Sequence, residues 1–204
     1  MNRSSEENNE PFARAIREID RANADDPNEI EVRGERLPKE LAHATLASEW
    51  IARLTGSPSV ALQLATRAHH LRRWSLPRSD YPEGRSGYLR WRQALKQQHA
   101  DEASQILEAS GYDHDTIERV ARIILRKNLA GDAESQALED ALCLVFFETQ
   151  LAELAGQLGD EKTRSVGIKT LRKMSPLGRS LALELPIDSA YIELLRELCT
   201  ELDD

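Results

Sequence analysis

The sequence predicts an all-α single domain, an orthogonal helical bundle. Apolar residues recur at helical spacing in one segment after another, Pro, Gly and Asx clusters punctuate those segments, and no alternation of apolar and polar residues runs beyond a few positions. A chain of 204 residues has the size of one ordinary domain and can bury a core without disulfide staples. With 40% hydrophobic and 30% charged residues, ten Gly and eight Pro, it is neither wholly disordered nor a fibrous repeat.

The elements follow in order. Residues 1–9 are polar and expected to be frayed or disordered, leaving 10–204 as the domain. Pro11 fits a first helical position, and Phe12, Ile16 and Ile19 form a stripe that lasts to about Ala24. Asp26-Pro27-Asn28 breaks it, and Ile30–Leu37 reads as a connector. Pro38 opens a helix to about Leu54, on which Leu46, Trp50 and Leu54 share a face. After Thr55-Gly56-Ser57, a third helix is expected from about Pro58 to Trp74. Ser75–Arg85 holds Pro77, Pro82 and Gly84 and is an irregular loop. A long helix from about Ser86 to Ser110 stops at Gly111, and Asp113 or Asp115 caps the next, with Ile117, Val120 and Ile124 as its stripe. Ser135–Leu158 is the most hydrophobic helix, and shorter ones at about 160–174 and 187–202 complete the chain.

Cys143 and Cys199 lie far apart within apolar helical patterns, as reduced thiols of a cytoplasmic protein do. No uninterrupted apolar run approaches the roughly 20 residues of a membrane span. The acidic start, Met1 to Glu7, has no apolar signal core, so a cytoplasmic chain with no membrane partner is expected. A net charge of −8 argues against broad, non-specific nucleic-acid binding.

Two constellations point to chemistry. In the first, ionisable residues occupy positions where the helical period calls for core residues. His43 shares a face with Leu46, Ala47 and Trp50, His99 with Leu95 and Ile106, Lys127 with Ile123 and Ile124, and Asp140 with Leu144 and Phe147. His69 and His70 add two imidazoles near the end of the third helix. Burying such groups costs several kcal/mol unless they are paired or bound, and imidazole with carboxylate is a common ligand set for divalent metals in helical bundles.

The second constellation is a run of arginines. Arg67, Arg72, Arg73, Arg78, Arg85, Arg90 and Arg92 fall within 26 positions that hold no lysine and only Asp80 and Glu83 as acids. Trp74, Tyr81, Tyr88 and Trp91 are interleaved. The segment carries +5 while the remainder of the chain carries −13. Arginine in preference to lysine suits bidentate contacts to phosphate and stacking on rings. A solvated basic face paired with acidic helices is the plainer alternative.

The run Arg67-Ala68-His69-His70-Leu71-Arg72-Arg73-Trp74, with Pro77-Arg78, Tyr81-Pro82, Gly84-Arg85, Gly87-Tyr88-Leu89 and Trp91-Arg92, resembles the family called domain of unknown function 4202. His99-Ala100, Gly111-Tyr112, Lys127 and Glu139-Asp140 extend that resemblance over roughly residues 10 to 200. Shared with that family, the site would centre on His70, His99 and Asp140. More distantly, the chain is similar to the HD-domain metal-dependent phosphohydrolases. That similarity implies an HD-like fold, with His43 as first histidine, His69-His70 at the His-Asp pair and Asp140 as distal carboxylate. His70 then stands in place of the pair's Asp, and Lys127 where a further His is often found.

The leading expectation is a metal-dependent phosphohydrolase acting on a small phosphorylated metabolite or nucleotide. His70, His99 and Asp140, with His43 or His69, would hold a divalent ion (Mn, Ni, Co, Fe or Mg) that activates water. Arg67, Arg73, Arg78, Arg85, Arg92 and Lys127 would neutralise phosphate oxygens. Glu139 or Glu148 would orient the water, and Trp74 or Tyr88 would stack on a base. The alternative is a non-catalytic binding module for a nucleotide, another anionic ligand or an RNA end. A third reading makes these groups a buried ion-pair network that fixes helix register. The oligomeric state is left open.

Overall fold

A computed structural model describes residues 9–126 and 131–203. Among the described residues the chain forms nine α-helices and one two-stranded hairpin, so the all-α expectation holds in its main sense. Of the residues 1–9 expected to be frayed, Asn9 instead opens the first helix, while residues 1–8 and the expected role of Lys127 lie outside the described residues.

Helix α1 (Asn9–Ala24) buries Ala15, Ile19 and Ala22 on one stripe. The following segment is a hairpin rather than a featureless connector: β1 (Glu29–Val32) pairs antiparallel with β2 (Glu35–Pro38). Its turn residues Arg33 (φ 54°) and Gly34 (φ 84°) both have positive φ, as a two-residue I′ connection requires. Asn-Gly is the usual signal for that turn, and arginine in the first place hides it.

Helix α2 (Lys39–Thr55) starts at Pro38, which has no side-chain acceptor for the free N–H groups of the first turn. Buried Asp26 supplies one. Its Oδ1 accepts from the Asn28 backbone at 2.9 Å and its Oδ2 from the Glu40 backbone at 3.1 Å. Helix α3 (Val60–Ala68) is capped by Ser59, whose Oγ accepts from the Leu62 N–H at 3.1 Å. It ends six residues before the expected Trp74. The apolar stripe that carried the longer reading runs on through Leu71, which is fully buried, but from a turn that closes with Arg72 in the left-handed region.

Two 3₁₀ turns follow: Arg73–Ser75 takes the expected end of the third helix, and Arg78–Asp80 lies within the expected loop. Arg78 donates to the carbonyls of Tyr81 and Pro82 at 2.8 and 2.9 Å, and Trp91 Nε1 donates to Leu76 O at 2.9 Å. These bonds fasten the loop onto α4 (Gly84–Ala109). Gly87 lies so close beneath it that a Cβ would stand 1.8 Å from Pro82 O.

Asp113 caps α5 (His114–Leu125), accepting from Thr116 N–H at 2.7 Å. Asp132 caps α6 (Ala133–Leu158) and is gripped by Arg119 of α5 at 2.7 and 2.8 Å. The chain ends with α7 (Asp160–Leu171), α8 (Pro176–Ala182) and α9 (Ser189–Asp203). The seven-residue α8 divides the stretch between the last two expected helices. Leu138, Ala141, Leu144, Phe147 and Leu151 of α6 form the middle of the core, against α2, α7 and α8. With a mean hydropathy of 1.2 over 18 residues, α6 is long and apolar enough to cross a membrane by length and composition, which the lack of an unbroken apolar run did not suggest. In this fold it packs against α2, α3, α5, α7 and α8.

Candidate functional site

A cavity of about 360 Å³ opens where α2, α4, α6, α7 and the turn after α3 meet. Four of the five histidines line it: His43 from α2, His69 and His70 from the turn, and His99 from α4. The His70 ring centroid lies 4.2 Å from that of His69, 5.8 Å from His99 and 6.5 Å from His43.

The hydrogen bonds fix which ring nitrogens are free. His69 Nδ1 lies 2.6 Å from Thr66 O and His99 Nδ1 lies 2.8 Å from Leu71 O. A carbonyl oxygen only accepts, so each Nδ1 carries the proton and each Nε2 keeps its lone pair. Both Nε2 atoms are buried with no hydrogen-bond partner. His70 Nδ1 lies 2.9 Å from Glu40 Oε2. Burial opposes charge on Glu40, but the neighbouring His70 and hydrogen bonds from His43 and His70 hold its carboxyl well below the usual carboxylate range. An ionised Glu40 accepts, so His70 is also protonated on Nδ1. His43 differs, because both its nitrogens are engaged: Nδ1 is 3.4 Å from Glu40 Oε2 and Nε2 is 3.3 Å from Thr149 Oγ1.

Burial keeps the rings of His69, His70 and His99 neutral. It pushes His70 down to about 3, against the pull of Glu40, and His99 down to about 3, against the Leu71 carbonyl. His69 falls well below its ordinary value for the same reason. Neutral imidazoles with Nδ1 anchored to a carbonyl or carboxylate and Nε2 open are the form in which histidine binds a metal. Glu40, His43 and His70 also bring one ligand atom each within 4.8 Å of one another. In that group the shared Glu40 oxygen is already the acceptor of imidazole N–H, which suits it to an outer position behind the ligands.

The rest of the wall is basic and apolar. Arg73, Arg92, Lys96, Arg126 and Lys173 reach the cavity, with Glu139 as the carboxylate among its lining residues. Arg73 Nε lies 3.8 Å from Glu40 Oε1, and its guanidinium stands 5.0 Å from the Trp91 ring centroid. Arg126 Nε is 3.2 Å and Lys173 Nζ 4.0 Å from the two Glu139 oxygens. Burial, then the nearby Arg126, lowers the Lys96 ammonium to about 8. Burial, with Glu139 beside it, pushes the Cys143 thiol up to about 12, so this wall residue is no thiolate nucleophile at neutral pH.

The structure therefore brings together His43, His69, His70, His99, Arg73, Tyr88, Arg92 and Glu139 from the sequence-derived set. It places others elsewhere. Asp140, the expected metal ligand, is buried outside the cavity. Its Oδ1 accepts from Gln136 Nε2 at 2.8 Å and Ser175 N at 2.9 Å, and its Oδ2 accepts from Ser175 Oγ at 2.5 Å. Arg67 is paired with Asp20 at 2.5 Å, and Arg78 holds the loop carbonyls described above. Trp74 and Arg85 do not line the cavity, and Arg85 is exposed. Glu148 accepts from Trp50 Nε1 at 2.9 Å instead of facing the histidines. Sequence reasoning missed Glu40, Lys96, Arg126 and Lys173. For Glu40 a signal existed in its place one turn before His43 on the same helix face. The three cations reach the cavity from separate elements and carry no common local signal.

The chain matches the family described as domain of unknown function (DUF4202) over residues 13–195. No curated protein and no solved structure matches it.

Proposed function

The chain belongs to the DUF4202 family, and for it we propose metal-dependent hydrolysis of a small phosphorylated compound. The observation that carries this reading is the pair of buried, unpartnered Nε2 atoms on His69 and His99, flanking a His70 whose Nδ1 is held by Glu40. Among the described residues Glu40, His43 and His70 are the group whose ligand atoms lie within 4.8 Å of one another, so the Nε2 atoms of His69, His70 and His99 would have to close around a divalent ion as it binds, with Glu40 orienting His70 from behind. Such an ion, when bound, lowers the pKa of water and polarises a phosphoryl oxygen.

The chain's own residues supply the rest. Arg73 and Arg92 would bind the phosphate oxygens as charge develops on them. Tyr88 stands at the cavity mouth, where its ring can cover the organic part of a substrate. Glu139 is the carboxylate among the cavity's lining residues, with Arg126 and Lys173 against its two oxygens. We place the reaction class beside that of the HD-domain phosphohydrolases, with a changed ligand set. His70 replaces the Asp of the pair, and Asp140 takes no part. Protein purified without chelator should carry one divalent ion per chain, and His99→Ala should lose it. It should also release phosphate from phosphate esters when Mn²⁺, Ni²⁺ or Co²⁺ is supplied. Metal-free wild-type protein that stays inactive with all three ions overturns the reading.

One observation favours a second reading, a binding module for a phosphorylated ligand without a metal. Five basic side chains line the cavity against the single Glu139, and that balance disfavours a bare cation while suiting an anion. Tight binding of a phosphate ester by metal-free protein, without turnover, would select it.

A further inference from the structure

The basic side chains of the cavity fall into two groups. Arg73 stands on the histidine side, beside Glu40, and Arg92 lies between the groups, with Nη1 3.2 Å from the Tyr88 hydroxyl and its charge felt by Arg73, Lys96 and Arg126 alike. Lys96, Arg126 and Lys173 come from α4, the end of α5 and the turn after α7, and line the same stretch of the cavity. Arg126 and Lys173 share the Glu139 carboxylate, and Lys96 adds a third positive charge beside Arg126. Arg126, whose side chain is 8% exposed, itself takes the left-handed conformation (φ 51°) at the end of α5, which an arginine adopts far less readily than glycine or asparagine. Arg126 is enclosed, Lys96 is partly buried and Lys173 is nearly half exposed, so the group keeps an open side through which an anion can enter and offset its two excess positives. One phosphoryl group at the histidines would leave that excess in place.

We propose that Lys96, Arg126 and Lys173 form a second anion subsite, and that the ligand is a compound with two phosphate groups, one against the histidines and one here. The proposal deepens the phosphohydrolase reading and rests on it for the place of the first phosphate. Leu142, Phe146 and Val166 give the same cavity an apolar wall for the carbon skeleton. A volume of about 360 Å³ suits a small metabolite. Arginine and lysine together fit a terminal phosphate, the first through bidentate hydrogen bonds and the second as a point charge.

Calorimetric titration of the protein as isolated, and in parallel with EDTA to stop turnover, tests this. The probes are three pairs: pyrophosphate with phosphate, ribose 1,5-bisphosphate with ribose 5-phosphate, and fructose 1,6-bisphosphate with fructose 6-phosphate. At least one bisphosphate should bind tenfold or more tightly than its partner. The Lys96→Met/Lys173→Met double variant, with thermal unfolding as its folding control, should cut that ratio at least fivefold. Lys173 is nearly half exposed, and Lys173→Met alone serves if the double variant does not fold. A ratio below tenfold for every pair, or one that the substitutions leave within fivefold of wild type, overturns the proposal. The ratio is measurable in EDTA whether or not phosphate is released, so failure of hydrolysis and failure of the second subsite are separate results.

Discussion

Glu40 is 4% exposed, and a carboxylate so enclosed needs partners that outweigh its lost hydration. It finds them in His70, His43 and Arg73. If Glu40 orients a metal-binding His70, Glu40→Gln should weaken metal affinity by about 10–100-fold, the usual effect of removing an outer-shell carboxylate. Chelator competition measures this, and unchanged affinity would make Glu40 a purely structural partner. Asp140 is the opposite case. It sits on an apolar helix face as a buried ligand would, yet its oxygens hold Ser175, which caps α8. Asp140→Asn should therefore cost about 1–3 kcal/mol in urea unfolding and leave metal content unchanged. Lost metal with intact stability would return it to the ligand set. His43 and His99 were legible because helical period shows an imidazole among apolar residues, and His69 and His70 as an adjacent pair near the end of the third helix. Asp140 misled because its partner arrives from 35 positions along the chain. Glu40 was passed over because an acid in a first helical turn is ordinarily explained by the helix dipole.

At the scale of elements, the helices were legible wherever Pro, Gly or a capping Asp marked an end, as at Gly56, Asp113 and Asp132. Departures occur where tertiary contacts replace those signals. The start of α2 is capped by Asp26 across the hairpin, and α3 stops early because the turn carrying His69 and His70 must present both rings to the cavity while still burying Leu71. The loop of residues 75–85 is similarly specified from outside itself, by Arg78, by Trp91 and by the absence of a side chain at Gly87. Gly87→Ala would set a methyl group against the Pro82 carbonyl, a backbone atom that cannot rotate away. The loop must then lift from α4, and overpacking of this kind costs about 1–3 kcal/mol. Thermal unfolding should show the loss, together with weaker ligand binding, since Tyr88 and Arg92 follow on the same helix. An unchanged melting temperature would mean that the loop does not rest on Gly87.

Across the whole molecule, charge and structure divide the work. The net charge of −8 is an average over an arginine segment of +5 and a remainder of −13, and folding distributes that segment unevenly. Arg73 and Arg92 enter the cavity, while Arg67, Arg72 and Arg78 are taken up by Asp20, Glu102 and loop carbonyls. Lys96, Arg126 and Lys173 make up the cavity's charge from outside the segment. The site's positive field is thus recessed within an acidic body, and exposed charges beyond about 8 Å are screened at physiological salt. A long polyanion meets the acidic exterior, whereas a small anion can enter and be held where screening is weak. Duplex DNA should therefore show no retardation with this protein at 150 mM KCl, while a phosphate ester that binds the cavity should keep most of its affinity between 50 and 150 mM. The two titrations oppose each other in what salt does. Retention of DNA that weakens steeply with salt would place the working charges on the surface, and would shift attention from the cavity to exposed arginines such as Arg85 and Arg90.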